Sequence, residues 1–84
     1  MIDGRWFVGP HPVRRYRDRI APGLSYEEAR NEILREAERA RRVKRLPTGA
    51  TLYRGRKPHR LRFIVDERAR PLPSLVTVLG GWDR

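Results

Sequence analysis

A chain of 84 residues allows one domain with a thin core, because a protein of this size buries only about 60% of the surface its unfolded form exposes. The absence of cysteine excludes disulfides and thiolate metal sites, and the two isolated histidines cannot build a multi-histidine zinc site. Against 10 acids stand 20 Lys and Arg, a formal charge of +10 that points to RNA, DNA or an acidic protein as partner.

The first elements are short. Arg5-Trp6-Phe7-Val8 reads as a strand or packed arm that ends at Gly9-Pro10. A helix follows, with Pro12 suited to the first helical position, His11 near the cap, and Val13, Tyr16 and Ile20 as its apolar strip before Ala21-Pro22-Gly23. Ser25-Tyr26-Glu27-Glu28 is a capping box, so a second helix starts there. Tyr26, Ala29, Ile33, Ala37 and Ala40 keep helical spacing, and the periodicity predicts a helix running to about Arg45. In that helix the early Glu27 and Glu28 and the late Arg41, Arg42, Lys44 and Arg45 would complement the dipole, with Glu32–Arg35 and Glu38–Arg42 as side-chain pairs.

After Pro47 the period changes from helical to alternating. Strands are predicted at 50–54, 60–65 and 75–79, with Leu61, Phe63 and Val65 on one face. The nearly continuous apolar run Leu75–Leu79 predicts a central strand. Gly55-Arg56-Lys57-Pro58 and the proline-bearing 67–73 supply the turns of a meander. The expected architecture is α+β: a single domain over 1–84, with two N-terminal helices on one face of a three- or four-stranded antiparallel sheet. Trp6 and Trp82 are expected to seal the core, with a homo-oligomer contact as the alternative.

Charge is unevenly placed. Residues 46–65 hold five cations and no acid, whereas 66–84 balance three against three. Arg54, Arg56, Lys57, Arg60 and Arg62 are therefore candidate nucleic-acid contacts, with Tyr53 to stack a base or donate a proton. His11, Arg15 and Arg19 recur every four residues, which places an imidazole and two guanidiniums on one side of the first helix. Metal-free RNA cleavage needs a proton acceptor, a proton donor and cations around the phosphate. His11 and His59 are the candidate acid–base pair, with Arg15 and Arg19 on the phosphate, if the fold brings them into one cleft.

The pattern His11-x-x-x-Arg15-Tyr16-x-x-Arg19, then Gly23-Leu24-Ser25-Tyr26-Glu27-Glu28-Ala29, then Val76-Thr77-Val78, resembles an uncharacterised domain common in phages and mobile elements. That domain is similar to the RelE and BrnT toxins. The resemblance implies an α+β fold shared with barnase-like and colicin-like ribonucleases, metal-independent RNA cleavage without a cofactor, and a neutralising antitoxin partner. The positions it matches are His11, Arg15, Arg19 and Thr77. The function expected is thus a small RNA-binding, toxin-type endoribonuclease. The alternatives are a non-catalytic nucleic-acid-binding or regulatory protein of the same fold, and a phage-type effector that binds an acidic host protein. The N-terminus lacks a basic segment followed by an apolar one, and Thr77 interrupts the longest apolar window, so a cytoplasmic location with no membrane span is expected.

Overall fold

Glycine followed by proline sets the start of the first helix. In the computed structural model, which describes residues 5–57 and 59–80, α1 spans Pro10–Arg19, with Gly9 as an extended N-cap and Pro10 at the head of the first turn. The helix therefore begins at Pro10, ahead of the expected Pro12, and His11 lies inside the first turn, not at the cap. Both prolines fit because first-turn N–H groups have no intrahelical acceptor to lose. Val13 and Tyr16 are fully buried, and Ile20 packs against the same core from the helix end.

The capping box forms as read. The Ser25 hydroxyl accepts the Glu28 N–H at 3.1 Å and the Glu28 carboxylate accepts the Ser25 N–H at 2.9 Å, which opens α2, Tyr26–Glu38. Ala29, Ile33 and Ala37 form its buried stripe, while Tyr26 is exposed. Glu32 pairs with Arg35 at 3.8 Å. The helix stops at Glu38, well short of Arg45, and Arg41–Arg45 is instead a strand, β1. Arg41, Arg42, Lys44 and Arg45 consequently do not face a helix C-terminus, and Arg42 pairs with Glu67 in place of Glu38. Arginine and lysine favour helix only weakly, and the turn that follows overrides them. There the Leu46 N–H donates to the Ala50 carbonyl at 2.8 Å, and Gly49 takes φ +97, a left-handed backbone that glycine adopts without a Cβ clash.

That turn folds β1 onto β2, Thr51–Arg54, and the chain continues as β3, Arg62–Asp66, and β4, Ser74–Leu79. All pairings are antiparallel and the sheet order is β1-β2-β3-β4, so the meander has four strands, with β2 and β3 central. β4 is an edge strand, contrary to its apolar sequence. Its composition has two other causes. Helix α1 packs on it, and the N-terminal arm pairs with its first residues, the Phe7 N–H donating to the Pro73 carbonyl at 2.8 Å and the Leu75 N–H to the Phe7 carbonyl at 2.9 Å. The arm is thus packed and bridged in parallel to Ser74.

One sheet face carries Thr51, Tyr53, Phe63, Val65, Leu75 and Val78, all buried against Val13, Tyr16 and Ile33 from the helices. Trp6 closes the layer, its ring edge-on to Tyr53 at 4.9 Å and tilted on Phe63 at 5.3 Å. The expectations for Pro58 and Trp82 lie outside the described residues. Among the described residues, no helix is long and apolar enough to cross a membrane.

Replacing Phe63 with alanine should lower stability by about 3 to 5 kcal/mol, because a ring is deleted from the middle of the core. Ser25→Ala should lose about 1 kcal/mol with the cap. Urea titration followed by circular dichroism reads both, and equal losses would contradict this layered core.

Candidate nucleic-acid interface

Residues directly opposite one another in an antiparallel pair share a sheet face. Tyr53 and Phe63 point to the helices, so their neighbours in each strand point the other way. On that outer face the register sets Arg41 opposite Arg54 and Arg54 opposite Arg62, a row of three guanidiniums across β1, β2 and β3. The next outward row holds Lys44, Leu52, Ile64 and Thr77. Like charges placed directly opposite weaken a sheet. No carboxylate stands in the arginine row to offset them.

Beyond β2 the connection to β3 adds more cations. The Gly55 N–H donates to the Leu61 carbonyl at 2.6 Å, and a Cβ at Gly55 would sit 3.3 Å from that carbonyl oxygen and 3.4 Å from the Phe63 ring. Glycine thus permits the close crossing that projects Arg56, Lys57 and Arg60 past the sheet. Arg60 holds φ +49, a left-handed conformation that costs a residue with a long side chain about 1 kcal/mol relative to glycine. An open cleft of about 750 Å³ results, walled by Arg39, Arg41, Arg54, Arg56, Lys57 and Arg60 around Gly55. A neighbouring depression of about 480 Å³ shares Arg41, Arg54 and Arg56 and extends to Arg42 and Val43. No acid lines either one. Among the described residues none of the six cations of the larger cleft has a side-chain partner.

Of the residues proposed from sequence, Arg54, Arg56, Lys57 and Arg60 come together here. Arg62 belongs to the row but is half-buried: its Nη2 donates to the Gly80 carbonyl at 3.1 Å, and its Nε is buried without a partner. Tyr53 is on the opposite face and only 6% exposed, with Trp6 against its ring and its hydroxyl bonded to Glu67, so it can neither stack a base nor reach a substrate. His59 is exposed in the β2–β3 connection but lines neither cleft.

Helix α1 does carry His11, Arg15 and Arg19 at its predicted spacing, with His11 and Arg19 exposed and Arg15 half-buried. The helix packs on β4 and α2, on the covered side of the sheet, so the sheet stands between that stripe and the arginine row. Neither cleft joins His11 to His59. Thr77 is opposite Ile64 on β4, its hydroxyl buried without a partner. Arg39 and Arg41 are the site residues that sequence reasoning missed, hidden by the expected helix. Pro47 and Gly49, turn residues between two five-residue arms, were the signal for a hairpin there.

Under the covered face a carboxylate ties the strands together. Glu67 accepts the Tyr53 hydroxyl, the Thr51 hydroxyl at 2.9 Å, and Arg42 at 3.4 Å. The Tyr53 bond chiefly, then Thr51 and Arg42, hold its carboxyl below the ordinary carboxylate value despite the opposing effect of burial. Burial, followed by the bond to Glu67, pushes the Tyr53 phenol up. The network fixes β2 and places Arg54 outward. Among the described residues, no three His, Asp or Glu side chains gather as metal ligands.

Comparisons with protein-family models, curated proteins and solved structures return no match to this chain.

Because the Glu67 pKa is depressed in the fold, its stabilisation is complete above the unfolded carboxylate value and is lost as pH falls through the lower folded value. Glu67→Gln should therefore be less stable at neutral pH and lose less stability than the parent on acidification below about pH 4.5. Thermal melts across pH 2 to 7 would show parallel curves if Glu67 had no such role.

Proposed function

We propose that the protein binds nucleic acid, RNA foremost, through the phosphate backbone, using the outer face of β1 and β2 and the β2–β3 connection. The carrying observation is the row Arg41–Arg54–Arg62 continued by Arg56, Lys57 and Arg60: cations crowded together, unneutralised, and in one case held on strained backbone. Each of these features weakens the free fold, and the crowded, unneutralised charge strengthens binding to a polyanion. Arginine is suited to the task because its planar fork meets phosphate oxygens in pairs and never loses its charge.

The mode of action is binding and positioning. Cleavage requires a proton acceptor and donor flanking one phosphate, and the two clefts contain only arginine and lysine as ionisable side chains, which are poor proton acceptors at neutral pH. The reading closest to this geometry is therefore the non-catalytic RNA-binding protein with the RelE/BrnT-like resemblance, acting in the cytoplasm. An acidic antitoxin or host protein would compete for the same face.

Fluorescence anisotropy with labelled RNA at several salt concentrations tests this. Arg54→Ala and Arg56→Ala should each weaken binding similarly for unrelated sequences and reduce the salt slope by about 1. Arg60→Asn should weaken binding while keeping or raising the melting temperature, since asparagine tolerates the left-handed backbone. Unchanged slopes in all three variants would overturn the proposal. Loss of full-length RNA in EDTA, abolished by His11→Ala, would restore the endoribonuclease reading.

A further inference from the structure

We infer that this face selects duplex nucleic acid over single strands, reading the shape of a paired backbone and not its bases; the inference rests on the proposed phosphate-binding role of the same site. The supporting observation is what surrounds the cations. Proteins that hold single strands set aromatic rings among their cations, and each stacked base is worth about five- to hundredfold in affinity. In the strands the aromatic residues face inward, Tyr53 and Phe63 being buried with Trp6 beneath them, while the exposed Phe7 of the arm pairs with Ser74 and lines neither cleft. The strand side chains that share the outer face with Arg41, Arg54 and Arg62 include Lys44, Leu52, Ile64, Thr77 and Leu79, with Asp66 and Ser74 at the far end of β3 and β4. Among the described residues no aromatic ring lines either cationic cleft. A single strand finds charge there but no aromatic platform.

Rigidity points the same way. Arg41, Arg54 and Arg62 are anchored at neighbouring positions of three hydrogen-bonded strands, spaced about 4.8 Å from one strand to the next. Arg56 and Arg60 are tied to each other by an N–H to carbonyl bond of 2.9 Å, in a connection whose neck is closed at Gly55. Cations set at fixed backbone positions suit a ligand whose phosphates are already fixed. A duplex presents them in a regular row, whereas a flexible single strand must first lose conformational freedom to match it. Selectivity follows without any base contact. Such a protein recognises pairing and discriminates sequence little, as expected for backbone and shape readout.

Anisotropy titrations of the full chain at one salt concentration, with an RNA duplex of about 16 base pairs, each of its separated strands and the matching DNA duplex, test the inference. Both duplexes should bind at least about tenfold tighter than either strand, with little change between unrelated sequences. Joint replacement of Arg41 and Arg54 by glutamine should remove most of that preference, and circular dichroism checks that the sheet persists. Equal or tighter binding of single strands, above all if Trp82→Ala abolishes it, would sink the duplex inference while leaving the phosphate-binding reading intact. Failure to bind any of the four probes would sink both.

Discussion

An arginine of the N-terminal arm ties down the junction that follows α2. Arg5 donates to the carbonyl of Ala37 in the last turn at 3.0 Å and to that of Ala40, just past the helix, at 2.9 Å. The same guanidinium lies 5.2 Å from the centre of the Trp6 ring and 5.1 Å from that of Tyr53, so its positive charge is held against aromatic faces. Arg39, the C-cap, leaves helical geometry at this point, and the chain turns directly into β1. Because α2 stops at Glu38, Arg41 lies in β1 opposite Arg54, and the cationic row begins there.

The site and the core then divide the sheet between them. Alternation along β2 sends Thr51 and Tyr53 to the helices and Arg54 to solvent, and β3 repeats the pattern with Phe63 and Val65 against Arg62. The covered face is stitched by Glu67, which accepts from Thr51 and Tyr53 and pairs with Arg42. On the open face nothing of opposite sign intervenes in the arginine row. A fold with a thin core tolerates such repulsion because the other face of β2 and β3 is buried against the helices.

Elements with a local chemical cause were legible in the sequence. Ser25 with Glu28 marks a helix start by reciprocal hydrogen bonds, and the alternation of Leu61, Phe63 and Val65 marks a buried strand face; both are as expected. β1 was not legible because all five of its residues are exposed, so neither the period of two nor an apolar stripe is written in Arg41–Arg45. Its strand state comes from pairing with β2 across the turn at Gly49. The edge position of β4 was obscured for the opposite reason, since the arm at Phe7 and the helix above it demand the apolar residues that normally signal a central strand. Of the binding surface, the cluster from Arg54 to Arg60 could be seen as charge without acid, whereas its union with Arg39 and Arg41 depends on register, which composition does not encode. The proposed partnership of His11 with His59 required two layers of the molecule to meet, and the layering keeps α1 on the covered side.

Strand order that follows chain order has a kinetic corollary. Each strand of the meander finds its neighbour across one short connection, so the sheet can assemble by successive hairpins with little chain entropy lost at each closure. The sequence-distant strand pairing among the described residues is Phe7 with Ser74, joined by a loop that includes both helices and three strands. The N-terminal arm is the latch on this assembly. Its docking turns a set of locally formed pieces into one cooperative unit, and it carries with it the arginine that binds the carbonyls at the end of the second helix.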